Sequence, residues 1–135
     1  MKRPPFAFAL LFVWLFSFPA AAGCEMIKNF ESTLRVESDA SVTVSERITV
    51  NREGKQIRRG IYRDLPRTRG VGYRVLSVRR DGKPEPYFTE NANGRFRINT
   101  GTDEFLPHNG LYTFEITYQA SNIVRAFDGY DEVYW

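Results

Sequence analysis

Between Arg58 and Gly70 the chain reads RRGIYRDLPRTRG, and five of these thirteen residues are arginines: Arg58, Arg59, Arg63, Arg67 and Arg69. Guanidinium groups pair bidentately with oxyanions and stack on aromatic rings. A cluster of them beside Tyr62 therefore suits phosphate, lipid headgroups or another polyanion, or else a protein partner or second domain. The plainer alternative is an edge loop. In that reading Ile61 and Leu65 plug a core, Pro66 ends the segment, and the arginines are solvated or pair with carboxylates near the C-terminus.

Other chemistry is sparse. His108 is the single histidine and Cys24 the single cysteine, which excludes a tetrahedral zinc site within one chain. Asp128, Asp131 and Glu132 are spaced for no EF-hand loop and read as a solvated acidic segment. No G-x-S-x-G elbow accompanies His108, and no phosphate-cradling loop or dinucleotide fingerprint is present. A carboxylate-based glycan hydrolase needs only two carboxyl groups about 5–10 Å apart in a cleft; no pair stands out. The expectation is a non-enzymatic domain without metal or cofactor.

The elements that must carry these residues are β-strands. Phe30, Ser32, Leu34 and Val36 alternate with Glu31, Thr33, Arg35 and Glu37. After a turn at Ser38–Ser41, Val42, Val44, Ile48 and Val50 form a second apolar row. Glu46 interrupts that row and must be paired or lie at the sheet margin, because burying it alone is costly. Further strands are expected at Tyr73–Arg80, Tyr87–Glu90, Arg95–Asn99 and Leu111–Ala120, with Ile123–Val124 extending the last. Asp81-Gly82 and Asn91–Gly94 supply tight turns. Short, regularly spaced strands without a helix predict an antiparallel β-sandwich of immunoglobulin-like architecture lacking a disulfide.

The N-terminus reads as a targeting segment over residues 1–22. Lys2 and Arg3 precede the apolar run Phe6–Phe18, and Ala20–Ala22 offers a cleavage pattern. A signal-peptide helix is thus expected, followed by one domain over residues 23–135. Export removes the domain from nucleic acid. The formal charge of +3 falls to about +1 once Lys2 and Arg3 are lost. The remaining charge is divided. Residues 52–80 hold ten basic and two acidic side chains, whereas residues 101–135 hold six acidic ones and only Arg125. Cys24, in the context AAGC, is a candidate for lipidation. The sequence stops at Trp135 in an aromatic run that looks like the start of another strand, which predicts a domain incomplete at its C-terminus.

Three segments carry a resemblance. ESDASVTVSERITV contains Asp39, Ser41, Val42 and Glu46. RRGIYRDLP contains Gly60, Ile61, Tyr62, Arg63, Leu65 and Pro66. FDGYDEVYW contains Asp131, Glu132, Tyr134 and Trp135. In this order they resemble the N-terminal region of the YciQ-like predicted membrane proteins, a family of unknown function. The resemblance implies a signal peptide, an extracytoplasmic β-rich domain, transmembrane helices beyond this sequence and a cytoplasmic C-terminal part. It implies no catalytic residue. The reading taken from the whole sequence is an exported domain of a bacterial envelope protein, on the periplasmic face of the cytoplasmic membrane, with a role in binding or assembly. Within the shared motifs, Gly60 would permit an unusual backbone angle and Tyr62 would supply a large buried face. Arg63 would pair with Glu46 or Glu132, and Pro66 would stop a strand. The other arginines would lie at the surface.

Overall fold

The computed structural model describes residues 24–68 and 70–134. The expected signal-peptide helix, Arg69 and Trp135 lie outside the described residues.

Among the described residues ten strands form in chain order: β1 (Met26–Val36), β2 (Val42–Arg52), β3 (Tyr62–Pro66), β4 (Gly72–Arg80), β5 (Lys83–Pro84), β6 (Tyr87–Ala92), β7 (Arg95–Thr100), β8 (Gly110–Ser121), β9 (Val124–Phe127) and β10 (Tyr130–Val133). All pairings are antiparallel. The larger sheet has the order β1-β2-β8-β4-β5, the smaller β3-β7-β6, and β9-β10 is a separate hairpin. The two main sheets face each other as a β-sandwich.

Alternation builds the core. Val42, Val44, Ile48 and Val50 of β2 lie beside Tyr112, Phe114, Ile116, Tyr118 and Ala120 of β8, all buried. Leu65, Phe96 and Ile98 close over them from the smaller sheet. Tyr73 of β4 stacks on Phe96 across the layers, ring centroids 5.6 Å apart. Each such side chain withdrawn from water contributes about 1.5–3 kcal/mol. The opposite face of the larger sheet is polar, and its cross-strand pairs fix the register. Arg47 of β2 meets Glu115 of β8 at 2.9 Å, and Thr49 meets Thr113 at 3.0 Å.

The turns follow their residue types. Asp81-Gly82 and Asn93-Gly94 all have positive φ, as a two-residue hairpin requires. A bulge at Leu76 shifts β4 by one residue, so that Val75 and Val78 both face the core and Leu76 is exposed.

Three expectations are corrected. The arginine-rich stretch is not only loop: Tyr62–Pro66 pairs with β7 as an edge strand. Ile123–Val124 does not extend β8. Asn122 turns the chain with φ 61°, and a new hairpin begins. Finally, β1 pairs with β2 over its whole length yet is exposed on both faces. Phe30, Leu34 and Val36 stand opposite Ile48, Val44 and Val42, in line with the core, but the smaller sheet stops at β3 and does not reach over them.

Candidate functional site

The arginines among the described residues do not converge on one site. Arg58 and Arg59 sit where the larger sheet begins β8, beside the loop that ends β7: Arg58 carbonyl oxygen accepts from Leu106 N at 2.8 Å. Arg67 lies at the other end, donating to Asn91 at 3.0 Å. Arg63, between them on β3, points into the sandwich. Among the described residues, Arg58, Arg59, Arg63 and Arg67 therefore form no single anion cradle.

Arg63 crosses the layers to Glu46 at the centre of β2. Its Nε donates to Oε2 at 2.7 Å and its Nη2 to Oε1 at 3.0 Å. Glu46 is 2% exposed. Tyr118 donates its hydroxyl to Oε1 at 2.9 Å, and the remaining Arg63 nitrogen, Nη1, donates to Asp64 carbonyl oxygen at 2.9 Å. Burial, then the negative charge of Glu46, push the Tyr118 hydroxyl well above its usual range, so it remains a donor. Glu46 thus accepts two hydrogen bonds from Arg63 and one from Tyr118, and the three side chains tie the two sheets together. Glu132, the other partner offered by the sequence, is exposed on β10 with Asp131 beside it.

The neighbours of Arg63 have different roles from those expected. Gly60 has no positive φ. Its need is space: a Cβ there would lie 2.2 Å from Thr100 carbonyl oxygen. Tyr62 is 62% exposed and points away from the core, with the Arg97 guanidinium 4.2 Å from its ring centroid. Arg97 itself grips Asp64 through two hydrogen bonds of 2.6 and 2.8 Å. Pro66 closes β3, and its carbonyl oxygen accepts from Tyr73 hydroxyl at 2.8 Å.

An unforeseen carboxylate anchors the N-terminal end. Glu25 receives the backbone N–H groups of Glu53, Lys55, Gln56 and Ile57 at 2.6–3.3 Å. Desolvation pushes its carboxyl up, but the four donors outweigh it and hold the pKa at about 2, against an ordinary 4.5. A depressed folded-state pKa contributes stability that is present above pH 4.5 and is lost as pH falls toward 2. Amide exchange at residues 53–57 is therefore expected to accelerate, relative to the β8 amides, as pH drops through this window. A Glu25→Gln variant should show that acceleration already at neutral pH. Equal protection of the two segments throughout would refute the anchoring role. Cys24, next to this anchor, is an exposed free thiol.

Among the described residues no group of three or more His, Cys, Asp or Glu could hold a metal ion. Asp64 and Glu90 line one open groove together with Arg95 and Arg97. Hydrogen bonding from Arg97 holds Asp64 below its usual range, so it is unsuited to act as the protonated acid that glycoside hydrolysis requires.

An apolar concavity lies at the seam where β1 and β3 part. It encloses about 620 Å³ and is lined by Ile27, Phe30, Ile48, Val50, Ile57 and Ile61, with Arg63 and Asp64 at its rim. Phe30 is 47% exposed there, its ring 5.8 Å from the Arg63 guanidinium. The alternation of Phe30 to Val36 was legible in the sequence; that these side chains stay half exposed among the described residues was not.

Comparison with known proteins adds a family. Residues 26–135 match the N-terminal domain of a predicted membrane protein, DUF2207. The chain is 31% identical over 120 residues to the uncharacterized protein YciQ of Escherichia coli (strain K12), covering 82% of this chain and 19% of that protein. The chain thus spans about a fifth of the length of the curated relative it matches. No solved structure matches it. Among the described residues no helix is long and apolar enough to cross a membrane.

Proposed function

The chain belongs to the DUF2207 family of predicted membrane proteins, and from that premise we propose that it is a non-enzymatic, extracytoplasmic assembly domain whose open β1–β3 seam receives a β-strand from elsewhere in the same membrane protein. The observation that carries this reading is the uncovered row of Ile27, Phe30, Leu34 and Val36, exposed yet in register with the core residues of β2. A strand beside β3 would extend the smaller sheet over that row and bury it. Both seam strands are sheet edges, and unpaired edges template strand addition. The occupant belongs to the same polypeptide because the curated relative is mostly outside the matched region, and an intramolecular strand adds without the entropy cost of a second molecule. The signal-like sequence of residues 1–22 supports export to the periplasmic side, and the family description supports membrane association.

The test is site-specific photo-crosslinking in cells, with the photoreactive residue at Phe30 or Leu34 of the protein expressed from its native reading frame. A crosslink to a segment of the same polypeptide outside residues 24–134 is expected. Crosslinks only to a second copy or to another protein, or none at all, would overturn the proposal.

A further inference from the structure

A second concavity lies on the other side of Tyr62, on the outward face of the smaller sheet. Its centre is one cross-strand row, Tyr62 of β3, Asn99 of β7 and Phe88 of β6. Adjacent strands are about 4.8 Å apart, so the two aromatic rings flank the amide across roughly 10 Å. Phe88 is 55% exposed. The loop after β7 adds Phe105, 60% exposed, with the Arg59 guanidinium 5.2 Å from its ring centroid. Arg58, Gln56, Thr102 and Asp103 complete a groove of about 380 Å³. Three exposed aromatic side chains around one groove are uncommon on a water-facing surface and mark a recognition site.

The chemistry of the lining selects the ligand class. A sugar ring has apolar C–H faces and a rim of hydroxyls. Aromatic rings cover the faces, while Asn99, whose Nδ2 already donates to Glu90 at 2.8 Å, keeps its carbonyl oxygen as an acceptor, and Asp103 and the outer nitrogens of the two guanidinium groups add acceptors and donors for the rim. Asp103 and Glu104 share the loop with Phe105, so the rim carries both signs. That mixture suits a hydroxyl-rich polymer with intermittent carboxylates and disfavours a uniformly anionic bilayer. We propose that the groove formed by Tyr62, Phe88, Asn99 and Phe105, with Arg58 and Arg59, binds an acidic oligosaccharide strand. The groove shares Gln56, Gly60, Ile61 and Tyr62 with the seam, whereas Phe88 and Phe105 line the groove alone, so substitutions at these two phenylalanines test sugar binding apart from strand docking.

The test is calorimetric titration of the full chain with a tetrasaccharide of alternating N-acetylglucosamine and N-acetylmuramic acid, which carries a carboxylate on every second ring. An uncharged N-acetylglucosamine tetramer and anionic phospholipid vesicles serve as comparison probes. Saturable binding of the acidic tetrasaccharide is expected. It should weaken tenfold or more in Phe88→Ala and in Phe105→Ala, with the thermal midpoint of each variant unchanged. Arg58→Ala with Arg59→Ala should weaken the acidic probe more than the uncharged one. Absence of binding, binding indifferent to both phenylalanine substitutions, or binding to vesicles alone would each overturn the proposal. The phenylalanines are solvent-facing, so their loss leaves the core intact. Should either variant unfold, Phe88→Tyr and Phe105→Tyr, which keep the ring, are expected to bind normally.

Discussion

Replacing Arg63 with alanine is expected to remove about 3–5 kcal/mol of stability, because Glu46 is then left buried without its counter-charge. A domain of this size has only about 5–15 kcal/mol in total, so the urea midpoint should fall steeply. The loss comes from the stranded carboxylate more than from the absent attraction, and this distinction can be measured. Glu46→Leu combined with Arg63→Met replaces the pair with apolar side chains of similar reach and should recover most of the loss. It also removes the carboxylate that accepts from the Tyr118 hydroxyl, a deficit of about 1–3 kcal/mol. Adding Tyr118→Phe should remove that deficit. If Arg63→Ala shifts stability by less than about 1 kcal/mol, the Arg63–Glu46 pair does not hold the two sheets together. If the triple variant is as unstable as Arg63→Ala, the packing at this point matters more than the charge.

Gly60→Ala is expected to be nearly as damaging for a different reason. Its Cβ would meet Thr100 carbonyl oxygen at 2.2 Å and Thr100 Oγ1 at 2.6 Å. These atoms are pinned. Ile61 N donates to Thr100 Oγ1 at 2.9 Å, and Thr100 N donates to Ile61 carbonyl oxygen at 2.9 Å. The methyl group can be accommodated only by separating the end of β7 from the segment that leads into β3. Overpacking of this kind costs about 1–3 kcal/mol and more when backbone must move, so a loss of about 3 kcal/mol is expected in thermal or urea unfolding. Gly72→Ala is the control. Its nearest neighbour is Ser121 Oγ at 2.7 Å, a side-chain atom that can rotate away, and its loss should stay near ~1 kcal/mol. Comparable effects at the two glycines would show that backbone approach at Gly60 is not the cause.

Both positions fall within a segment that stood out in the sequence for its arginines, yet their importance comes from contacts that sequence spacing does not encode. Glu46 could be read as anomalous because it breaks an apolar alternation, and Arg63 could be named as a partner because each needed the other. Which carboxylate Arg63 would reach depended on the two sheets lying face to face. Tyr62 was misassigned for a related reason. On a strand, a shift of one position moves a side chain to the opposite face, and the loop reading gave no parity for this stretch. Once β3 pairs with β7, Leu65 and Arg63 face in, while Tyr62 and Asp64 face out.

Periodicity alone determined most of the secondary structure and the all-β class, since alternation of apolar and polar residues leaves a strand with one face to bury. The turn residues Asp81-Gly82 and Asn93-Gly94 placed the hairpins, because few other residues tolerate positive φ. The ordered motifs from Asp39 to Trp135 pointed to the family. Tertiary structure decided what covers what. The row from Phe30 to Val36 has the same pattern as the buried row of β2, but burial depends on an opposing layer, and that layer ends at β3. Likewise Tyr62, Phe88 and Phe105, distant in sequence, meet only because β3, β7 and β6 adjoin and the following loop folds back beside them. Local pattern determines which face of a strand is apolar; only the packing of sheets determines whether that face becomes core, seam or binding surface.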